Sequence, residues 1–212
     1  MRLTNIFVHS FGGVANDPYA KTQNLTEAQI NNAHKTRFDD FISSLGSYIG
    51  YNFIIWADGT LKQYRKLGEE TAAQVEYNSN SVSICLAGNF TKLGSGAVER
   101  PTAEQVMTLK NLELALLTKS GTIWDSLQKV GGLDLDIKLH NIKPHRSVAP
   151  HKSCYGDLLS DSWARDLAIE AIQYKLSVLQ KILILYTSVL DIMKKLQPRT
   201  FGSGKSNNCL DD

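Results

Sequence analysis

The chain has 212 residues, 42% of them hydrophobic and 21% charged, with a formal net charge of +2. That length allows one domain with a real core plus an appendage, and so small a charge excludes a nucleic-acid surface as the organising feature. The three cysteines, Cys85, Cys154 and Cys209, are odd in number and far apart, which excludes a disulfide framework. The first residues carry no apolar, signal-like run, so synthesis in a reducing compartment is expected.

Residues 3–9 read as a short buried strand ending at His9, and Gly12-Gly13 opens a loop. Thr26-Glu27-Ala28-Gln29 is a capping box. It predicts a helix to about Ser43, with Ile30, Ala33, Phe38 and Phe41 on its apolar side. His34 within it reads as a helix histidine with a satisfied hydrogen bond. Residues 49–56 form the clearest strand, Asp58-Gly59 is a hairpin turn, and residues 60–65 return as a second strand. Val82, Ile84 and Leu86 alternate with Ser83, Cys85 and Ala87, a third central strand in which Cys85 is a core residue.

Thr102 caps a second helix that should reach about Lys119. Leu133, Leu135, Ile137 and Leu139 alternate with polar residues, a strand leading into the next loop. Another helix should begin near Gly156 and run through Trp163. Interleaved strands and helices with at least one hairpin predict a mixed α/β fold: a central mixed β-sheet flanked by helices.

Between Asp166 and Leu196 there is no Gly or Pro. Two adjacent apolar seams run along this helix, one through Leu176, Leu179, Leu183 and Tyr186, the other through Val178, Ile182, Leu185 and Val189. Together they are too wide for a simple dimer stripe. Lys175, Gln180, Lys181 and Asp191 interrupt them, so no stable membrane span is expected. Homo-oligomerisation through the helix is the first expectation; folding back, or lying on a membrane surface, are the alternatives. The expected division is residues 1–165 as the main domain, 166–197 as the long C-terminal helix outside it, and 198–212 as a flexible tail.

The loop Lys143-Pro144-His145-Arg146-Ser147-Val148-Ala149-Pro150-His151-Lys152-Ser153-Cys154 concentrates chemistry. Imidazole and thiolate are zinc ligands, and a catalytic zinc takes three protein ligands and keeps one position open. The loop can supply two, and His9 is the candidate for the third.

Four segments occur in a familiar order: Ile6-Phe7-Val8-His9-Ser10; residues 49–55 with Asp58-Gly59-Thr60; residues 78–88; and residues 145–154. Together, over about residues 3–165, the chain resembles the type-2 N-acetylmuramoyl-L-alanine amidases. These are zinc enzymes related to peptidoglycan-recognition proteins. Val148-Ala149-Pro150 followed by Lys152-Ser153-Cys154 is most similar to the small phage lysozyme amidases. The resemblance implies a zinc cleft on one face of the sheet, with His9, His145 and Cys154 as metal ligands. It also implies Tyr51 beside the metal and Lys152 as a catalytic cation. The implied reaction is hydrolysis of the bond between N-acetylmuramic acid and L-alanine in peptidoglycan. The implied setting is a phage endolysin, made in the host bacterial cytoplasm and acting at the wall after holin-type release. A peptidoglycan-binding module without catalysis and a cytoplasmic recycling amidase are the alternatives.

The chain departs from the family pattern at several positions. Asn52 stands where the family usually has His, and Cys154-Tyr155-Gly156 replaces Cys-Pro-Gly. A common cleft histidine is replaced around Gln74-Val75. One extra residue between His145 and Cys154 is absorbed most easily at His151, leaving His151 and His140 as competing ligands.

Overall fold

A computed structural model describes residues 1–39, 41–150 and 154–196, with residues 195 and 196 as backbone only. His151, Lys152 and the expected flexible tail lie outside the described residues. In chain order the elements are β1 (Arg2–Leu3), β2 (Asn5–Ser10), α1 (Glu27–Arg37), β3 (Phe53–Ile55), β4 (Leu61–Gln63), β5 (Ser81–Leu86), β6 (Lys92–Leu93), β7 (Gly96–Ala97), α2 (Ala103–Thr118), α3 (Thr122–Ser126), β8 (Asp134–Leu135), β9 (Ile142–Pro144) and α4 (Trp163–Leu196). Chain contacts divide it into one compact unit, Met1–Ile172, and a second beginning at Gln173, within α4.

The main sheet has the order β4-β3-β5-β2-β9. β3, β5, β2 and β9 run parallel and β4 is antiparallel to β3, so the sheet is mixed as expected. Every residue of β2 and β5 is buried, the pattern of central strands covered on both faces. Even-numbered residues of these strands (Ile6, Val8, Val82, Ile84, Leu86) pack with Leu109, Leu112 and Leu116 of α2 and with Ala164, Leu167 and Ala168 of α4. The opposite face holds a smaller cluster of Ile30, Ile49, Ile54, Tyr64 and Cys85, with Phe11, Tyr51 and Trp56 against it. His9 pairs with Cys85 across β2 and β5, so it projects from this second face.

Both capping boxes form, at Thr26 with Gln29 and at Thr102 with Gln105. α2 has the expected length, and Lys119 closes it in the left-handed conformation. α1 does not reach Ser43; it ends at Arg37. Asp39 turns left-handed, and the Arg65 guanidinium takes the Phe41 carbonyl while stacking on the Phe41 ring at 4.1 Å. That pulls the chain off the helix axis.

The expected strand over residues 133–139 shrinks to β8, because its partner β1 offers only two residues. The strand that actually delivers the loop is β9, reached through the 3-10 turn Leu139–Asn141. The last helix starts at Trp163 rather than near Gly156. Arg146 explains the delay: it donates to the Gly156 and Leu159 carbonyls at 2.5 and 2.6 Å and pairs with Asp161 at 2.6 Å. This organises residues 156–161 around a guanidinium instead of a helix axis.

Candidate metal centre

β2 and β9 pair in parallel with Val8 opposite Pro144. The next residues, His9 and His145, therefore leave neighbouring strands at the same level, and their ring centroids stand 4.6 Å apart. The chain turns through the 3-10 segment His145–Ser147 and returns at Cys154, where the Arg146 amide donates to the Cys154 carbonyl at 2.9 Å. The Ser10 amide donates to the Cys154 sulfur at 3.2 Å. One ligand atom from each of His9, His145 and Cys154 then lies within 4.8 Å of the others.

This donor set fits a zinc ion. Two imidazoles and a thiolate are ligand types that zinc prefers, and three protein ligands leave a coordination position open. His9 is 1% exposed, and its Nε2 is buried without a hydrogen-bond partner. A buried polar atom with nothing to bond is costly unless something binds it. Burial, and after it the neighbouring His145, holds the His9 pKa well below the usual imidazole value. The ring is thus neutral, the form a metal requires. His140 is exposed on its 3-10 turn and does not belong to the cluster.

Tyr51 stands beside this centre, its ring centroid 5.1 Å from that of His9 and 5.3 Å from that of His34. Burial, followed by the nearby Cys85 and Cys154, pushes its pKa well above the usual phenol value. Tyr51 is accordingly a neutral phenol able to donate a proton or a hydrogen bond. Cys85 is itself kept a thiol by burial.

His34 does have the satisfied hydrogen bond expected of it, its Nδ1 accepting from the Gly50 amide at 2.9 Å. Burial, then Arg37 and Arg65, lowers its pKa to about 4, so it too is neutral. Gly50 packs closely against residue 72: a Cβ there would lie 3.0 Å from the Ala72 carbonyl oxygen, so a side chain would push that backbone aside.

These groups line a cleft of about 680 Å³, with His145, Cys154, Tyr51, His34, Arg37 and Phe38 contributing walls and residues 72–76 and Asn78 forming part of its rim. Gln74 is 2% exposed with Oε1 unpartnered.

Two departures from the family pattern have structural explanations. Asn52 accepts from the Ser83 amide at 2.8 Å and donates to the Lys66 carbonyl at 3.1 Å, tying β3 to β5 beneath the site. Tyr155 is fully buried and donates its hydroxyl to the Ser160 carbonyl at 2.8 Å.

The four expected site residues within the described chain, His9, Tyr51, His145 and Cys154, are thus gathered in one place. The fifth, Lys152, lies outside the described residues. Sequence reasoning missed Cys85 and His34 as neighbours of Tyr51. The signal was the strand register, which sets Cys85 opposite His9 and cannot be read from either strand alone.

Residues 1–157 match the family model described as N-acetylmuramoyl-L-alanine amidase. The chain belongs to the N-acetylmuramoyl-L-alanine amidase family and is a hydrolase of that class. Among curated proteins none matches it by sequence.

Several solved structures share its fold. The N-acetylmuramoyl-L-alanine amidase LysC from Clostridium intestinale URNW is 23% identical, covering 83% of this chain and 87% of its own, with a TM-score of 0.50. The Ph2119 endolysin from the Thermus scotoductus MAT2119 bacteriophage Ph2119 is 18% identical, covering 79% and 86%, with a TM-score of 0.52. The human recognition protein PGRP-IBETAC, in complex with glycosamyl muramyl pentapeptide, is 16% identical, covering 75% and 80%, with a TM-score of 0.50.

Proposed function

We propose that the chain hydrolyses the amide bond between N-acetylmuramic acid and L-alanine in peptidoglycan, using zinc held by His9, His145 and Cys154. The observation that carries this reading is that one ligand atom from each of His9, His145 and Cys154, residues far apart in the chain, lies within 4.8 Å of the others. Zinc bound there would supply Lewis acidity towards water and the scissile carbonyl.

The chain's own groups divide the remaining work. The neutral His9 imidazole presents a lone pair, and the Ser10 amide steadies the sulfur. The Tyr51 phenol, next to His9, is placed to donate to the oxygen on which negative charge develops. Lys152, two residues before Cys154, is proposed as a second cation near the reacting carbonyl, or as the group that gives a proton to the leaving amine.

The setting we propose is lysis of a host bacterium: a phage endolysin synthesised in the host cytoplasm and brought to the wall by holin-type release. Its fold likeness to an endolysin supports that reading. Its likeness to a recognition protein holding a muramyl pentapeptide keeps a second one, binding without cleavage.

Metal analysis with activity measurements on a soluble muropeptide tests the proposal. The expected result is one zinc per chain, activity lost with a chelator and regained with zinc. Zinc-loaded protein that binds the muropeptide and leaves the amide intact would establish the recognition reading instead.

A further inference from the structure

Between Leu176 and Met193 the polar residues of α4 lie on one side; Lys175, just before this stretch, falls on the other. At about 100° per residue, Ser177, Gln180, Lys181, Thr187, Ser188 and Asp191 share a stripe about 120° wide, interrupted only by Ile184. The apolar sector runs from Ile192 and Leu185 on one flank, through Tyr186, to Leu183 and Leu176 on the other, about 200° in all. Residues 182–186 are each 55–67% exposed. An 18-residue window of this helix has a mean hydropathy of 1.6 with none of it buried, so by length and composition it is able to cross a membrane.

We infer that this part of α4 is an interfacial helix that lies in the headgroup plane of an anionic phospholipid bilayer. Three observations favour that occupant.

The first is the segregation itself. A helix spanning the bilayer would carry Gln180 and Lys181 into hydrocarbon, which is unfavourable. A helix lying flat keeps the whole polar stripe in the headgroups while the apolar sector enters the acyl boundary.

The second is hydrogen bonding. The hydroxyls of Ser177, Thr187 and Ser188 donate to carbonyls of their own helix, Tyr174 and Ile184, at 2.8–2.9 Å. They need no acceptor from another chain.

The third is charge. Residues 173–199 carry five cations, Lys175, Lys181, Lys194, Lys195 and Arg199, against the single carboxylate of Asp191, whereas the whole chain is only +2. The positive charge needed for anionic lipid is therefore concentrated at the two ends of the 176–193 apolar stretch, at Lys175 and at Lys194 and Lys195. A single partner helix would cover a stripe of about 100° and leave roughly half of that sector in water.

The test is flotation of the full-length protein with vesicles of phosphatidylethanolamine and phosphatidylglycerol, and with vesicles of phosphatidylcholine alone, alongside sedimentation equilibrium without lipid. The protein should float with the anionic vesicles, bind the neutral ones weakly, and sediment as a single chain. Leu183→Glu should lower vesicle binding by about tenfold or more, Thr187→Gln on the polar stripe should not lower it, and both should cleave soluble muropeptide like the unaltered protein. Failure to float with either vesicle overturns the inference. So does a stable assembly of several chains that Leu183→Glu dissolves, since the apolar sector would then belong to copies of the chain.

Discussion

The Ser10 amide donates to the Cys154 sulfur at 3.2 Å, one residue beyond His9. The strand that carries one candidate ligand therefore also orients another, 144 residues away in sequence. Such outer-shell hydrogen bonds fix a ligand before the metal arrives.

Replacing Cys154 with serine leaves this backbone donor in place and removes only the soft ligand. Zinc affinity should fall by more than about 100-fold, beyond the usual loss from an outer-shell change, with the fold retained. Competition with a chromophoric chelator measures this; an unchanged zinc affinity would remove Cys154 from the ligand set.

Tyr51→Phe separates the phenol from the metal. The ring remains to pack beside His9 and His34, and only the donor is lost. kcat on a soluble muropeptide should drop about 10²–10³-fold, with zinc content and KM little changed. A variant with undiminished kcat would place the oxyanion contact elsewhere.

Much of this centre was legible in the sequence because its parts sit at element ends. His9 closes an apolar strand and His145 and Cys154 bracket a Pro-bounded loop, whereas Tyr51, expected inside the strand over residues 49–56, came from the family resemblance. The capping boxes at Thr26 and Thr102 were legible for the same reason: their chemistry is local. What escaped depends on distant partners. The early end of α1 comes from Arg65 reaching Phe41, and the late start of α4 from Arg146 reaching residues 156–161. The apolar alternation over residues 133–139 was real, with Leu135 and Ile137 buried, but strand length is set by the partner, and β1 is short.

Arg65 supports the site from below. It is fully buried and donates to the carbonyls of Ile49, Glu70 and Phe41 at 2.8, 3.2 and 2.5 Å. Arg65→Met would leave those carbonyls unpaired, costing about 3 kcal/mol or more in a urea unfolding experiment. Because Ile49 lies two residues before Tyr51, kcat should fall as well. Equal stability of variant and wild type would contradict this role.

Glu113, in α2, is fully buried with both carboxyl oxygens unpartnered, and burial raises its pKa well above the usual carboxylate value. In the folded protein it holds its proton at pH values where the unfolded chain has released it. Stability is therefore fullest below about pH 4.3 and is lost as pH rises towards the folded pKa. Glu113→Leu removes the titration and the unpaired oxygens. It should raise stability by about 1–3 kcal/mol at neutral pH, with a smaller gain at pH 5. Thermal unfolding at the two pH values checks the sign; a larger gain at pH 5 would reverse it.

Analysis of the products from purified peptidoglycan tests the central claim most directly. Zinc-loaded wild-type protein should release soluble material with new L-alanine amino termini and no new reducing sugar ends, and Cys154→Ser should release none. New reducing ends, or zinc-loaded protein that produces no new L-alanine amino termini, would contradict the account.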